Sequence, residues 1–247
     1  MSQANRLDEA FARARTQGRA ALIGYLPAGF PTVPQSIELV TAMVEAGVDI
    51  VEIGLPYSDP LMDGPDIQAA VDIALHAGTT TDAVLDVVGA VTDAGANAVV
   101  MSYWNPIERY GVERFAACLA DVGGLGVITP DLTPEEATPW TEATNAHGLH
   151  RIFLVAPSST DERIATVAQA SSGFLYAAST MGVTGARTSV SSSAPALVER
   201  CRPITTLPIA VGLGVSTGEQ AAEVAQYADG VIVGSAFVRR IHQARTH

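Results

Sequence analysis

Short, nearly continuous apolar runs alternate with longer segments of three- and four-residue periodicity along the whole chain. The runs are Ala21–Leu26, Asp49–Gly54, Ala98–Met101, Gly126–Ile128, Arg151–Val155, Phe174–Ala177, Ile209–Val211 and Gly230–Val233. Their β-branched, unbroken apolar character fits strands covered on both faces. Between them, sets such as Ile37, Leu39, Val40, Met43 and Val44, or Ala221, Val224 and Ala225, mark one apolar face of a helix. Gly47, Gly95, Gly123, Gly148 and Gly173 each stand between a helix and the next strand, where a helix end favours a residue that accepts positive φ. Strand then helix, eight times and without a long linker, predicts one parallel α/β domain over residues 1–247. Eight repeats in 247 residues favour a closed (β/α)8 barrel over an open doubly wound sheet. The leading segment Asn5–Gln17 reads as an extra helix that caps the barrel floor.

Composition narrows the class. The chain is 48% apolar and 16% charged, enough to build a large core and too apolar for disorder. A formal net charge of −12 argues against nucleic acid or an anionic membrane as the main partner. No apolar run is long enough to span a bilayer. Arg6, Asp8 and Glu9 occupy the place where a signal peptide needs an apolar stretch. With two cysteines in helix-like segments and no disulfide or zinc pattern, the expectation is a cytoplasmic protein. Every basic side chain is Arg, and the absence of Lys excludes Schiff-base chemistry on a lysine of this chain.

In barrels of this type, reactive groups sit at the carboxyl ends of strands and in the loops that follow. Alternation along Asp49–Gly54 puts Ile50, Glu52 and Gly54 on one face and Val51 and Ile53 on the other. Glu52 therefore points into the barrel near its top, where an apolar setting raises its pKa and suits it to proton transfer near neutrality. The alternative is a buried structural ion pair. The loop Pro56–Pro65 is long, punctuated by three prolines, and carries Asp59 and Asp63. Asp59, before Pro60, fits a turn residue; Asp63 overhangs the barrel mouth near Glu52. Three glycine-bearing segments follow the last three strands: Gly182-Val183-Thr184-Gly185, Gly212-Leu213-Gly214-Val215 and Gly234-Ser235. At three successive strand ends they point to a phosphate held by backbone N–H groups and a helix N-terminus. A dinucleotide fingerprint is rejected, because the Gly212-x-Gly214 pair opens the seventh unit and lacks the third glycine. The five histidines fall on helices, at strand beginnings or at the C-terminus, which disfavours an imidazole metal site at the mouth. Tyr103, Trp104 and Tyr176 place aromatic surface near the mouth, either as core or against a flat apolar substrate. The residues thus sketch a phosphorylated substrate with an apolar ring, handled by carboxylates with neither Lys nor a metal as electron sink.

The run from Val51 to Pro65, Val-Glu-Ile-Gly-Leu-Pro-Tyr-Ser-Asp-Pro-Leu-Met-Asp-Gly-Pro, resembles the signature of the tryptophan synthase alpha chain family. The three glycine segments match the same family in order, and Ala21–Pro31 with Tyr103–Ile107 resemble its actinobacterial branch. The resemblance extends from the first strand to Phe237. It implies a TIM barrel, a lyase of tryptophan biosynthesis that cleaves indole-3-glycerol phosphate to indole and glyceraldehyde 3-phosphate. By resemblance, Glu52 is the general acid–base and Asp63 binds the indole N–H. Gly185, Gly214, Gly234 and Ser235 would bind phosphate, while Tyr25, Tyr103, Asp131, Tyr176 and Thr184 match positions near the substrate or its closing loop. No metal and no cofactor are implied for this chain; pyridoxal phosphate is expected only on a beta chain, with which it would form an alpha-beta-beta-alpha heterotetramer. The run Ser179-Thr180-Met181-Gly182 departs from relatives that carry Arg there. A free-standing lyase and a non-catalytic partner barrel are the alternatives, and the intact Glu52/Asp63 pair argues against the second.

Overall fold

The apolar runs pair edge to edge in a single parallel ladder. The computed structural model describes residues 5–179, 193–212 and 214–245. Its strands are β1 (Ala21–Pro27), β2 (Ile50–Gly54), β3 (Asn97–Met101), β4 (Gly126–Ile128), β5 (His150–Ile152), β6 (Leu154–Val155), β7 (Leu175–Ala178), β8 (Ile209–Gly212) and β9 (Gly230–Val233). They are ordered β5-β4-β3-β2-β1-β9-β8-β7-β6. The two ends of that order are halves of one run, so the sheet closes on itself. This corrects the expectation of one uninterrupted strand over Arg151–Val155. The first half pairs with β4 and the second with β7, and only Phe153 lies between them. Ile152 O accepts from Thr129 N on one side, and Phe153 O accepts from Tyr176 N on the other. A closed, tilted barrel offsets the two edges of each strand, and here the offset divides the ladder of the fifth. The fold is a (β/α)8 barrel.

The barrel has an inner and an outer core. Ile23, Ile50, Val99, Ile128, Ile152 and Ile232 fill the interior. Val51 and Ile53 face outward into the helix layer with the buried stripes of α2 (Val33–Glu45) and α4 (Thr81–Asp93), so the alternation read in β2 holds. Local chemistry starts the wall helices: Thr32 and Thr80 accept from the backbone N–H three residues on and cap α2 and α4. Each of the five glycines read as helix ends has positive φ, between 67° and 106°.

The N-terminal helix α1 (Asn5–Thr16) closes the floor, as expected. Its stripe Leu7, Ala10, Phe11 and Ala14 is buried with Ile23, Ile50 and Phe174. The Phe11 and Phe174 rings stand 5.6 Å apart. Polar ties fix the helix and the turn after it. Arg6 donates to Ala96 O at 2.8 Å, and the Arg19 guanidinium grips Asp49 at 2.5 and 2.8 Å. Burial acts to raise the Asp49 pKa, but Arg19 and the Leu22 N–H outweigh it and hold the carboxyl below its usual range.

Two helices occupy the β2–β3 crossover. α4 leans on β2 and β3 as the wall helix, whereas the preceding α3 (Pro65–His76) packs against β1 and against the last helix, α11 (Ser235–Arg245). The β3–β4 crossover likewise holds α5 (Trp104–Tyr110) and α6 (Val112–Asp121).

Candidate active site

Glu52 lies one residue short of the end of the inward face of β2, and only 3% of it is exposed. Its Oε2 atom is buried with no hydrogen-bond partner among the described residues. Loss of water disfavours the charged form, and the nearby Asp63 charge adds to this, so the Glu52 pKa rises to about 8. Glu52 is therefore protonated at neutral pH. No cation pairs with it among the described residues, so nothing there supports the ion-pair alternative.

Asp63 is supplied by the loop between β2 and α3 and is 7% exposed. Its Oδ1 accepts from the Tyr103 hydroxyl at 3.1 Å. The same hydroxyl accepts from Met62 N at 3.0 Å, so one tyrosine fixes both backbone and carboxyl. Gln68 Nε2 donates to Asp63 O at 2.7 Å across the first turn of α3. Burial raises the Asp63 pKa and the Tyr103 hydrogen bond opposes that, with a net upward shift. Behind this pair, Tyr57 stacks at 5.6 Å from the Tyr103 ring, and its hydroxyl accepts from Asn105 at 2.9 Å. Asp59 accepts from Ser58 in an exposed turn, consistent with a shape-giving role.

Both carboxylates line one cavity, whose wall draws on most of the barrel. Tyr25, Met101, Ile128, Leu154 and Tyr176 come from strand tops around the barrel, and Gly214, Gly234 and Ser235, which follow the last two strands, complete the wall. The wall is mainly apolar, and its polar positions are the two acids, the two tyrosines and Ser235 beside the glycines. Ser235 opens α11 and lines the cavity, and the first turn of that helix carries no acidic residue to repel an anion there. Gly214 adopts φ 99°, a conformation that favours glycine.

Two tyrosines define the width of the cavity, and glycines make room for them. A Cβ on Gly54 would collide with the Tyr25 hydroxyl, and one on Gly234 would stand 3.1 Å from the same ring. A Cβ on Gly212 would collide with the Tyr176 hydroxyl. Gly212 and Gly234, read from sequence in a phosphate setting, thus also accommodate aromatic side chains. Burial and the charges of Glu52 and Asp63 push both phenols well up, so Tyr25 and Tyr176 are neutral donors.

The remaining sequence candidates fall elsewhere. Tyr103 sits behind Asp63 rather than on the cavity wall. Asp131 lies beside the start of α5, where its carboxylate accepts the Trp104 N–H at 2.9 and 3.1 Å, and it does not line the cavity. Thr184 and Gly185, with Gly182 and Val183, lie outside the described residues. The apolar wall positions Met62, Met101, Ile128, Leu154 and Ile232 were not singled out from sequence, although strand alternation carries the signal for the inward ones. No group of three or more His, Cys, Asp or Glu able to hold a metal occurs among the described residues.

Comparison with known proteins agrees with this geometry. The family model described as tryptophan synthase alpha chain matches residues 11–247. A protein of that name from Thermobifida fusca is 64% identical over 236 residues, covering 94% of this chain and 87% of the relative. Its namesake from Acidothermus cellulolyticus is 62% identical over 236 residues, 96% of this chain and 88% of the relative. The solved tryptophan synthase of Mycobacterium tuberculosis contains a chain that superposes with a TM-score of 0.93 at 56% identity, covering 97% and 92% of the two chains. The alpha subunit from Legionella pneumophila superposes at 0.88 with 33% identity, over 100% and 91%. With the matched region spanning both carboxylates and every strand of the barrel, the chain belongs to the tryptophan synthase alpha chain family.

Proposed function

We propose that this chain, one TIM-barrel domain over residues 1–247, is the alpha subunit of a tryptophan synthase and cleaves indole-3-glycerol phosphate. The observation that carries the reading is Glu52: a protonated carboxyl, buried without a partner for one oxygen, on the wall of a cavity it shares with Asp63. The apolar wall accepts the indole ring. Gly214, Gly234 and Ser235, together with Thr184 and Gly185, bind the phosphate, and Tyr25 and Tyr176 flank the substrate between the two ends.

The chemistry follows from the protonation states. Glu52 gives its proton to indole C3, which leaves positive charge on the ring nitrogen. The Asp63 carboxylate accepts the indole N–H and stabilises that charge. Glu52, now ionised, removes the proton from the glycerol hydroxyl next to the ring. The O–H electron pair becomes the C=O bond of glyceraldehyde 3-phosphate. The C–C pair returns to C3 and restores the indole, so the ring itself is the electron sink. Tyr103 holds Asp63 in place, and Asp131 contributes through Tyr103 by fixing the N–H of the next residue. No cofactor is assigned to this chain; pyridoxal phosphate belongs to the beta partner of an alpha-beta-beta-alpha assembly. No helix among the described residues is long and apolar enough to cross a membrane, and we assign the protein to the cytoplasm.

Indole release from indole-3-glycerol phosphate by the purified chain tests the reading, with a beta chain titrated in. Cleavage that accelerates with the beta chain supports the subunit role. Fast cleavage indifferent to it would instead mean a free-standing lyase, and no cleavage in either condition would refute catalysis.

A further inference from the structure

The helix that positions Asp63 is not held by its own strand. α3 begins two residues after Asp63, yet it packs on β1 and α11, while α4 takes the wall position over β2 and β3. Its neighbour α11 begins at Ser235, which lines the same cavity as Asp63. One ion pair joins them. Asp66 Oδ2 accepts from Arg239 Nε at 3.3 Å and from Nη2 at 3.2 Å. The partners are 173 residues apart in sequence. Asp66 is three residues after Asp63, and Arg239 is four after Ser235, so each stands within about a turn of a residue on the cavity wall.

The signs of the charges fit this placement. Asp66 lies in the first turn of α3, where the helix dipole favours an acid. Arg239 lies in the second turn of α11, and that helix supplies no acid of its own in its first turn. Asp66 provides the compensating charge from the neighbouring helix. The two side chains are 33% and 36% exposed, and pairs this wet add little to global stability.

We propose that Asp66 and Arg239 are positioning residues that set the carboxylate of Asp63 in register with the phosphate end of the cavity. The inference rests on the lyase reading. Without the pair, α3 keeps its apolar packing but loses its polar register against α11, and Asp63 shifts relative to a substrate anchored at Ser235.

The test compares Asp66→Asn, Arg239→Gln and Arg239→Lys with the wild type. A misplacement of ~1 Å at a reacting centre costs on the order of 10²-fold in rate, so a smaller shift should lower kcat for indole-3-glycerol phosphate by about 3- to 30-fold in Asp66→Asn and Arg239→Gln. Glycerol 3-phosphate, which probes only the phosphate end, should bind both variants as it binds the wild type, and their melting midpoints should stay close to it. Arg239→Lys, which keeps the charge, should recover most of the kcat lost in Arg239→Gln. Wild-type kcat in both single variants overturns the proposal. So does a parallel loss of glycerol 3-phosphate binding and melting midpoint, which would mark a merely structural contact. A wild type that binds glycerol 3-phosphate but releases no indole, with or without a beta chain, would refute the lyase reading itself, and this inference with it.

Discussion

Replacing Glu52 by glutamine should make the fold more stable at high pH while it disables the enzyme. In the folded chain the Glu52 pKa is about 8, against 4.5 for an ordinary glutamate. Between those values the folded state keeps a proton that the unfolded chain has released. The stability associated with Glu52 is therefore fully present below pH 4.5 and is lost progressively as pH rises through 8. The rise from 4.5 to about 8 corresponds to roughly 5 kcal/mol once both states have ionised, at about 1.4 kcal/mol for each pH unit. About 3 kcal/mol of that is already expressed at pH 7, because the interval from 4.5 to 7 is some 2.5 units wide. The glutamine of the Glu52→Gln variant has no proton to lose, so the variant lacks this slope, whereas the like-signed contribution of Asp63 is common to both proteins. Urea unfolding at intervals from pH 5 to 9 gives the stability of each protein from its midpoint and slope. The difference between Glu52→Gln and wild type should grow in favour of the variant as pH rises. Indole release should fall by ~10² to 10⁴ in the variant, the usual contribution of a positioned acid–base group. Wild-type activity should also decline above pH 8, as Glu52 loses the proton it must donate. Parallel stability curves would refute the burial argument, and near-normal indole release by the variant would refute the catalytic one.

Other substitutions separate the parts of the site. Tyr103→Phe removes the hydrogen bond that favours ionised Asp63. It should cost about 1–3 kcal/mol of transition-state stabilisation and move the acidic limb of the pH–rate profile to higher pH; an unmoved limb would separate Tyr103 from Asp63. Gly54→Ala drives a Cβ into the Tyr25 hydroxyl. Overpacking of this kind should cost about 1–3 kcal/mol, and the KM for indole-3-glycerol phosphate should rise; unchanged thermal stability and KM would contradict the contact. Phe11→Ala, on the floor, should lower stability by about 3–5 kcal/mol while kcat measured well below the melting midpoint stays near wild type.

The sequence carried the features that depend on local periodicity. Alternation across Ile50–Gly54 was enough to orient Glu52 inward, and helix-end glycines were legible because positive φ is a property of one residue. The split of the fifth strand was not legible, because the pairing of Ile152 with one neighbour and Phe153 with the other depends on the stagger of the whole barrel. The apolar stripes of α3 and α4 read alike, Ile67-Ala70-Val71-Ala74 against Val84-Val87-Val88-Val91. Nothing in either pattern says that one leans on the barrel wall and the other on α11. The double duty of Gly212 and Gly234 was hidden for a related reason: the tyrosines they accommodate come from strands distant in sequence. Asp131 has the residue type of a ligand, but its cap to Trp104 N–H is a contact between loops that spacing cannot reveal.

The seal that α1 makes under the barrel has a consequence for traffic. Phe11, Phe174 and Ile23 fill the base, so the cavity is a cup rather than a tube. Substrate, indole and glyceraldehyde 3-phosphate must all use the rim, and in sequence, since an incoming molecule cannot push a product out through the far end. Whatever sits on that rim therefore controls filling and emptying together. A beta chain docked there would become the way out for indole without any gate at the base, and the same docking would delay the next substrate until the phosphate product had left.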